Sequence, residues 1–151
     1  MNLDKLKIKG TVILKRFDKD SNLLEEVTIN NMVVDGGLDY FAKKSVELTD
    51  SVIDKVGIST GTTAVTASDT QLSNTANAEY ADVKFKVRTQ LAEVLLDGVF
   101  IENQYVDKSV TEIGLFTDAN ELVARTVVPS DSRFVKAASD FLSVTWKLQF
   151  G

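Results

Sequence analysis

The sequence predicts a mainly β domain, an antiparallel β-sandwich of about seven to nine strands with one short helix. Three observations carry that expectation. Runs of strand length, rich in Val, Ile, Leu, Thr and aromatic residues, are separated along the chain by clusters of Asp, Asn, Ser and Gly. In the last run Leu142, Val144, Trp146, Leu148 and Phe150 alternate strictly with Phe141, Ser143, Thr145, Lys147 and Gln149, the period of a strand with one buried face. Between them, Val110 to Val128 reads as strand, tight turn, strand, with Thr117 to Asn120 supplying the turn chemistry. With those four residues as the loop, Leu115 faces Leu122, Ile113 faces Ala124 and Glu112 falls opposite Arg125, giving an apolar face and a face with an ion pair. A five-residue loop is also compatible with the pattern.

The chain of 151 residues suits one domain, 1–151, with a substantial core and no internal linker. Lys and Arg number 17 against 22 Asp and Glu, a net charge of −5, which disfavours wholesale binding to nucleic acid or an anionic membrane. Cysteine and histidine are both absent. That removes disulfides, thiolate and Ser-His-Asp catalysis, and zinc sites with His or Cys ligands, and leaves only carboxylate, Lys or Tyr chemistry. Met1 to Gly10 carries positive charges without the apolar run of a signal peptide, and no stretch approaches the roughly 20 apolar residues of a membrane-spanning helix, so a soluble protein is expected.

In chain order, Lys5 to Phe17 begins with Leu6 and Ile8 on one side and Lys5, Lys7 and Lys9 on the other, then becomes apolar at Val12, Ile13 and Leu14; the lysines suit the open face of a strand protected from edge-to-edge association. Asp18 to Asn22 forms a turn. Its Asp18, Asp20, Asn22 spacing opens like a calcium-binding loop, but Leu23 occupies the position that needs glycine and Ile29 the position of the bidentate glutamate, so no metal is expected. Leu23 to Val34 returns as a strand. Leu38, Phe41 and Ala42 then predict a short helix over Leu38 to Lys44, capped near Asp35 or Gly36, with Asp39 and Lys43 paired one turn apart and its aromatic residues plugging one end of the core.

Val52 to Ser59 is the next strand. The following Gly57 to Ala64 has the small residues of a phosphate cradle but neither the lysine nor the helix that a nucleotide loop requires. Ala67 to Asn74 continues as polar loop, and Thr75 to Glu79 has no periodicity. Tyr80 to Leu91 alternates, with Val83, Phe85, Val87 and Leu91 assigned to the buried face and Lys84, Lys86, Arg88 and Gln90 to a solvated one. This second basic row, with the first, is a candidate docking surface for an acidic partner. Asp97-Gly98 signals a turn between two strands, and Glu102 to Lys108 a polar, exposed connection. Pro129 with Ser130 to Ser132 ends the strand after the hairpin. Trp146, in the apolar row, is expected in the core.

Four pieces in order, Asn31 to Leu38, Val56 to Ala64 with Asp69 to Leu72, Glu112 to Phe116 with Leu122 to Arg125, and Val144 to Trp146, together resemble small virion structural proteins of tailed bacteriophages, of the tail-fibre-like or minor structural kind. The likeness spans roughly residues 30 to 150, and Ser59 departs from a tighter, glycine-rich loop. The resemblance implies a β-sandwich component of the particle, assembled in the host cytoplasm, without catalytic residues, metal or cofactor. It implies partners among other virion proteins and copies of itself. The expected role is a tail or baseplate-region subunit; the alternatives are a capsid decoration protein or a receptor-binding module. A receptor binder should present aromatic residues on loop tips, where only Tyr80 and Tyr105 are expected. Carboxylate pairs that could serve a glycosidase, Asp18 with Asp20 or Glu25 with Glu26, fall on a turn or on opposite strand faces, so no enzyme is expected.

Overall fold

The structure is a computed structural model that describes residues 7–151. The part of the first strand's alternation that rests on Lys5 and Leu6, and the reading of Met1 to Leu6 as lacking a leader, lie outside the described residues. The elements are β1 (Ile8–Phe17), β2 (Leu23–Val33), α1 (Asp35–Ser45), β3 (Ile53–Ser59), β4 (Glu79–Gln90), β5 (Glu93–Phe100), β6 (Lys108–Val110), β7 (Glu112–Thr117), β8 (Leu122–Val127), β9 (Phe134–Lys136) and β10 (Phe141–Phe150). The mainly β, antiparallel character and the short helix are as the sequence predicts.

The sandwich is not. Eight strands close into one barrel in the order β1-β10-β5-β4-β3-β7-β8-β2, while β6 and β9 pair as a separate ribbon. Closure is made where β2, after its long ladder with β1, crosses to β8 through Met32 and Val33. Alternation along a strand reports which side faces a core; it is the same whether that core lies between two sheets or inside one that curls on itself. The interior is filled by Val12 and Leu14 of β1, Val56 and Ile58 of β3, Ile113 and Leu115 of β7, and the inward row Leu142, Val144, Trp146 and Leu148 of β10, all fully buried. Each such side chain contributes about 1.5–3 kcal/mol over an exposed one.

One end of the barrel is closed by α1. Phe41 meets Phe150 edge-on with ring centroids 5.2 Å apart, and the hydroxyl of buried Tyr40 donates to the Ser51 carbonyl at 3.1 Å. The helix is longer than expected and begins at Asp35, with Val34 rather than a capping side chain before it. Gly37 explains how it docks: a Cβ there would lie 2.8 Å from the Val123 carbonyl carbon, so only glycine lets the first turn rest on β8. Asp39 and Lys43 pair at 2.9 Å as expected. The opposite end is closed by the β6–β9 ribbon, which adds Val110 and Phe134 to the core.

Three local expectations are corrected. Asp97 and Gly98 lie inside β5, and the turn is at Leu91-Ala92, where Ala92 takes φ 59°. Gly98 serves packing, since a Cβ would stand 3.2 Å from Val56 Cγ2. Tyr105 is fully buried although it sits in a polar stretch; its hydroxyl donates to the Ser109 carbonyl at 2.7 Å, and burial pushes its phenol well up. The β7–β8 turn is shorter than four residues: Thr117 N donates to Glu121 O at 3.0 Å, Asn120 adopts φ 62°, and an irregularity follows. Leu115 therefore pairs with Ala124, Ile113 with Thr126 and Glu112 with Val127.

Candidate functional site

Glu112 and Arg125 still meet, as diagonal neighbours on one face, and both are buried. Arg125 Nε donates to Glu112 Oε2 at 2.7 Å and its Nη2 contacts the same oxygen. Ser73 donates twice to Oε2, from its backbone N–H and its hydroxyl, each at 2.8 Å. The Ser59 hydroxyl and, at 3.2 Å, the Asn74 N–H donate to Oε1. Burial pushes the Glu112 carboxyl up, but the bonds from Ser59, Ser73 and Arg125 outweigh it and hold the group below its ordinary value. On its other side Arg125 donates to the Thr63 carbonyl at 2.6 Å and to Asp69 Oδ2 at 2.8 Å. Asp69 in turn accepts from Thr66 N at 2.9 Å and Thr66 Oγ1 at 2.7 Å.

These bonds fasten the long loop between β3 and β4 to the outside of β7 and β8. An apolar layer completes the attachment: Leu72 joins Val34, Phe116 and Leu122, with Ala78 against them. Gly114 leaves the space, because a Cβ there would lie 2.9 Å from Leu72 Cδ2. Gly61 and Ser59, which looked like parts of a phosphate cradle, are anchors: Gly61 N donates to Ser59 Oγ at 3.1 Å, and a Cβ on Gly61 would lie 2.8 Å from Glu112 Cδ. A carboxylate so surrounded has no free lone pair toward solvent and cannot act as base or nucleophile. The sequence pointed to the Glu112–Arg125 pair, set directly opposite each other on the face away from the apolar one, but not to its burial or its diagonal offset. The missed partners, Asp69 and Ser73, carry no periodic signal; the one clue was a charged pair inside strands otherwise apolar on both faces.

The other candidate residues fall apart in space or into structural roles. Asp18 Oδ1 accepts the N–H groups of Asp20 and Asn22, both at 2.9 Å, and Oδ2 accepts from Asn22 Nδ2 at 3.0 Å, which lowers its pKa and makes the turn. Glu25 pairs with Arg16 at 3.3 Å and Glu26 with Lys15 at 3.9 Å. Arg16 also holds buried Asp140 at 3.0 Å, beside Lys136, whose Nζ donates to the Ile101 carbonyl at 2.9 Å and whose pKa is lowered by burial. Trp146 is in the core, and Tyr80 lies on β4 rather than in a loop.

The second basic row is placed differently from the sequence reading. Val83 pairs with Gly98 and Phe85 with Asp97, so Lys84 is an extra residue in the ladder, and beyond it Lys86 faces Leu96 and Arg88 faces Val94. A one-residue bulge moves the side chains after it to the other face, here as far as Arg88, beyond which a second irregularity precedes Gln90. Phe85 consequently stands 56% exposed, while Lys86 and Arg88 turn toward the barrel mouth. There they rim a cavity of about 260 Å³ floored by Phe41, Ile53, Val94, Leu96 and Leu148.

Comparison with known protein families, curated proteins and solved structures returns no match to this chain.

Proposed function

We propose that the chain is a structural subunit of a tailed-bacteriophage particle, in the tail or baseplate region, acting without catalysis or cofactor and assembling in the host cytoplasm with other virion proteins and copies of itself. The ordered likeness between residues 30 and 150 brings the idea to hand. The observation that carries it is how the side chains are used. The ionisable cluster around Glu112 and Arg125 is buried and spent on fixing a loop, whereas large apolar residues stand exposed: Leu23, Leu24 and Leu91, at 84%, at hairpin ends, and Phe85 on the outer face of β4. Rigid loops and exposed apolar edges suit a part built into something larger. Nothing in this arrangement recruits nucleic acid or membrane.

A receptor-binding role gains support from Phe85 and from Tyr80, 47% exposed, which give β4 an aromatic outer face that the sequence did not predict. Immunogold labelling of particles, with copy number by quantitative mass spectrometry, separates the readings. Tail-confined label in multiples of three, six or twelve copies is the expected result. Label confined to the capsid shell would replace the tail role by decoration. A monomer that binds host cell walls and is missing from particles would remove the structural class altogether.

A further inference from the structure

We infer that the free edge of β4 beyond Asp82 is a strand-addition site for an extended, acidic segment of a partner protein. The inference stands on the barrel alone and does not depend on the virion role. On its β3 side, β4 is paired only from Glu79 to Asp82, against Ile58 to Lys55. From Val83 to Gln90 it bonds to β5 alone, so among the described residues the backbone groups of its other edge have no strand partner. The bulge at Lys84 is where β4 parts from β3, and the cavity floored by Phe41, Ile53, Leu96 and Leu148 opens beside it. An unpaired edge next to an apolar socket is the geometry of strand addition: main-chain bonds give affinity and the socket selects a side chain.

The socket's volume, about 260 Å³, falls below the roughly 300–1,000 Å³ of small-molecule sites, which fits one anchoring side chain rather than a whole ligand. Charge selects the partner. Lys86 and Arg88 rim the socket and, among the described residues, neither makes an ion pair, in a chain whose net charge is −5. A second copy of β4 paired antiparallel would set Lys84, Lys86 and Arg88 against the same three cations, which disfavours self-association through this edge. A strand bearing carboxylates on either side of an apolar residue satisfies both cations and fills the socket.

The probe is an acetylated, amidated pentapeptide with glutamate at both ends, leucine in the middle, and threonine and valine between, titrated into the full isotope-labelled chain. Shifts of the Val83 to Gln90 amides, slowed exchange of the alternate ones that point away from β5, and shifts at Phe41 and Ile53 are expected. The K86E/R88E variant, whose folding is checked by circular dichroism, should bind at least tenfold more weakly, as should a peptide with lysine for glutamate. No change at β4 would overturn the inference. Equal binding of the lysine peptide would overturn the charge selection. Octanoate filling the socket while the pentapeptide leaves the edge amides unprotected would make this a small-amphiphile site instead. Dimerisation through β4 in sedimentation would make a second copy the occupant.

Discussion

Arg125 Nε lies 2.7 Å from Glu112 Oε2 although the two residues are not opposite each other, Glu112 being paired with Val127. The diagonal offset is what makes the pair useful. It leaves one guanidinium edge on the carboxylate and turns the other toward Thr63, Ala64 and Asp69, so a single side chain joins the barrel wall to the loop outside it. Buried ion pairs are weak contributors to net stability but strong specifiers of geometry, because a partner left behind is a buried uncompensated charge.

Arg125→Met should therefore destabilise the protein by about 3–5 kcal/mol, measured by urea unfolding, and should raise amide exchange through residues 60–78 more than in the barrel. Adding Glu112→Leu should not restore stability, since Ser73 N and Asn74 N would then lose their acceptor. Full recovery in the double variant would show that the pair acts as two charges only and does not organise the loop.

Acid should act on the same network. Glu112 and Asp69 are both held below their ordinary values, opposed by burial and lowered by their hydrogen bonds and Arg125. A depressed carboxylate stabilises the fold above its unfolded pKa and loses that contribution as pH falls through the folded one. The urea midpoint should be flat from pH 7 to about 5 and fall below about pH 4, where these carboxylates take up protons. Glu112→Gln should start lower and flatten the fall; an unchanged acid limb would assign it to other groups.

Most of the long strands, the helix and the buried row of β10 were legible because each is written as a local period; β5, whose Asp97-Gly98 reads as a turn, and the short β6 and β9 were not. Barrel closure was not, since it depends on Met32 and Val33 reaching β8 across the molecule. Lys84 and the β7–β8 turn show a second limit. One inserted residue reverses the facing of the side chains from Phe85 to Arg88, and no side chain in the run Val83 to Arg88 announces it. Tyr105 shows a third: a single aromatic residue inside a polar segment can be drawn into the core when its hydroxyl finds a carbonyl.

Gly37→Ala tests the docking of α1. In a free helix this change helps by up to about 1 kcal/mol, but here the new methyl meets the β8 backbone at Val123, which cannot yield as a flexible side chain would. A loss of about 1–3 kcal/mol is expected, together with altered chemical shifts at Val123 and Tyr40. A gain would mean that the helix sits farther from β8.

The bulge in β4 makes opposite forecasts for two residues that simple alternation would both bury. Phe85→Ala removes an outward, half-exposed ring and should change stability by no more than about 0.5 kcal/mol. Leu96→Ala, at 5% exposure and facing Lys86 across the ladder, should cost about 2–5 kcal/mol. Deleting Lys84 restores unbroken alternation, carries Phe85 and Val87 inward and sends Lys86 and Arg88 out. That variant should fill the socket with its own side chains and bind the acidic pentapeptide no better than K86E/R88E. A large loss for Phe85→Ala with little for Leu96→Ala would place the strand in the register without the bulge, and the cations would then leave the barrel mouth.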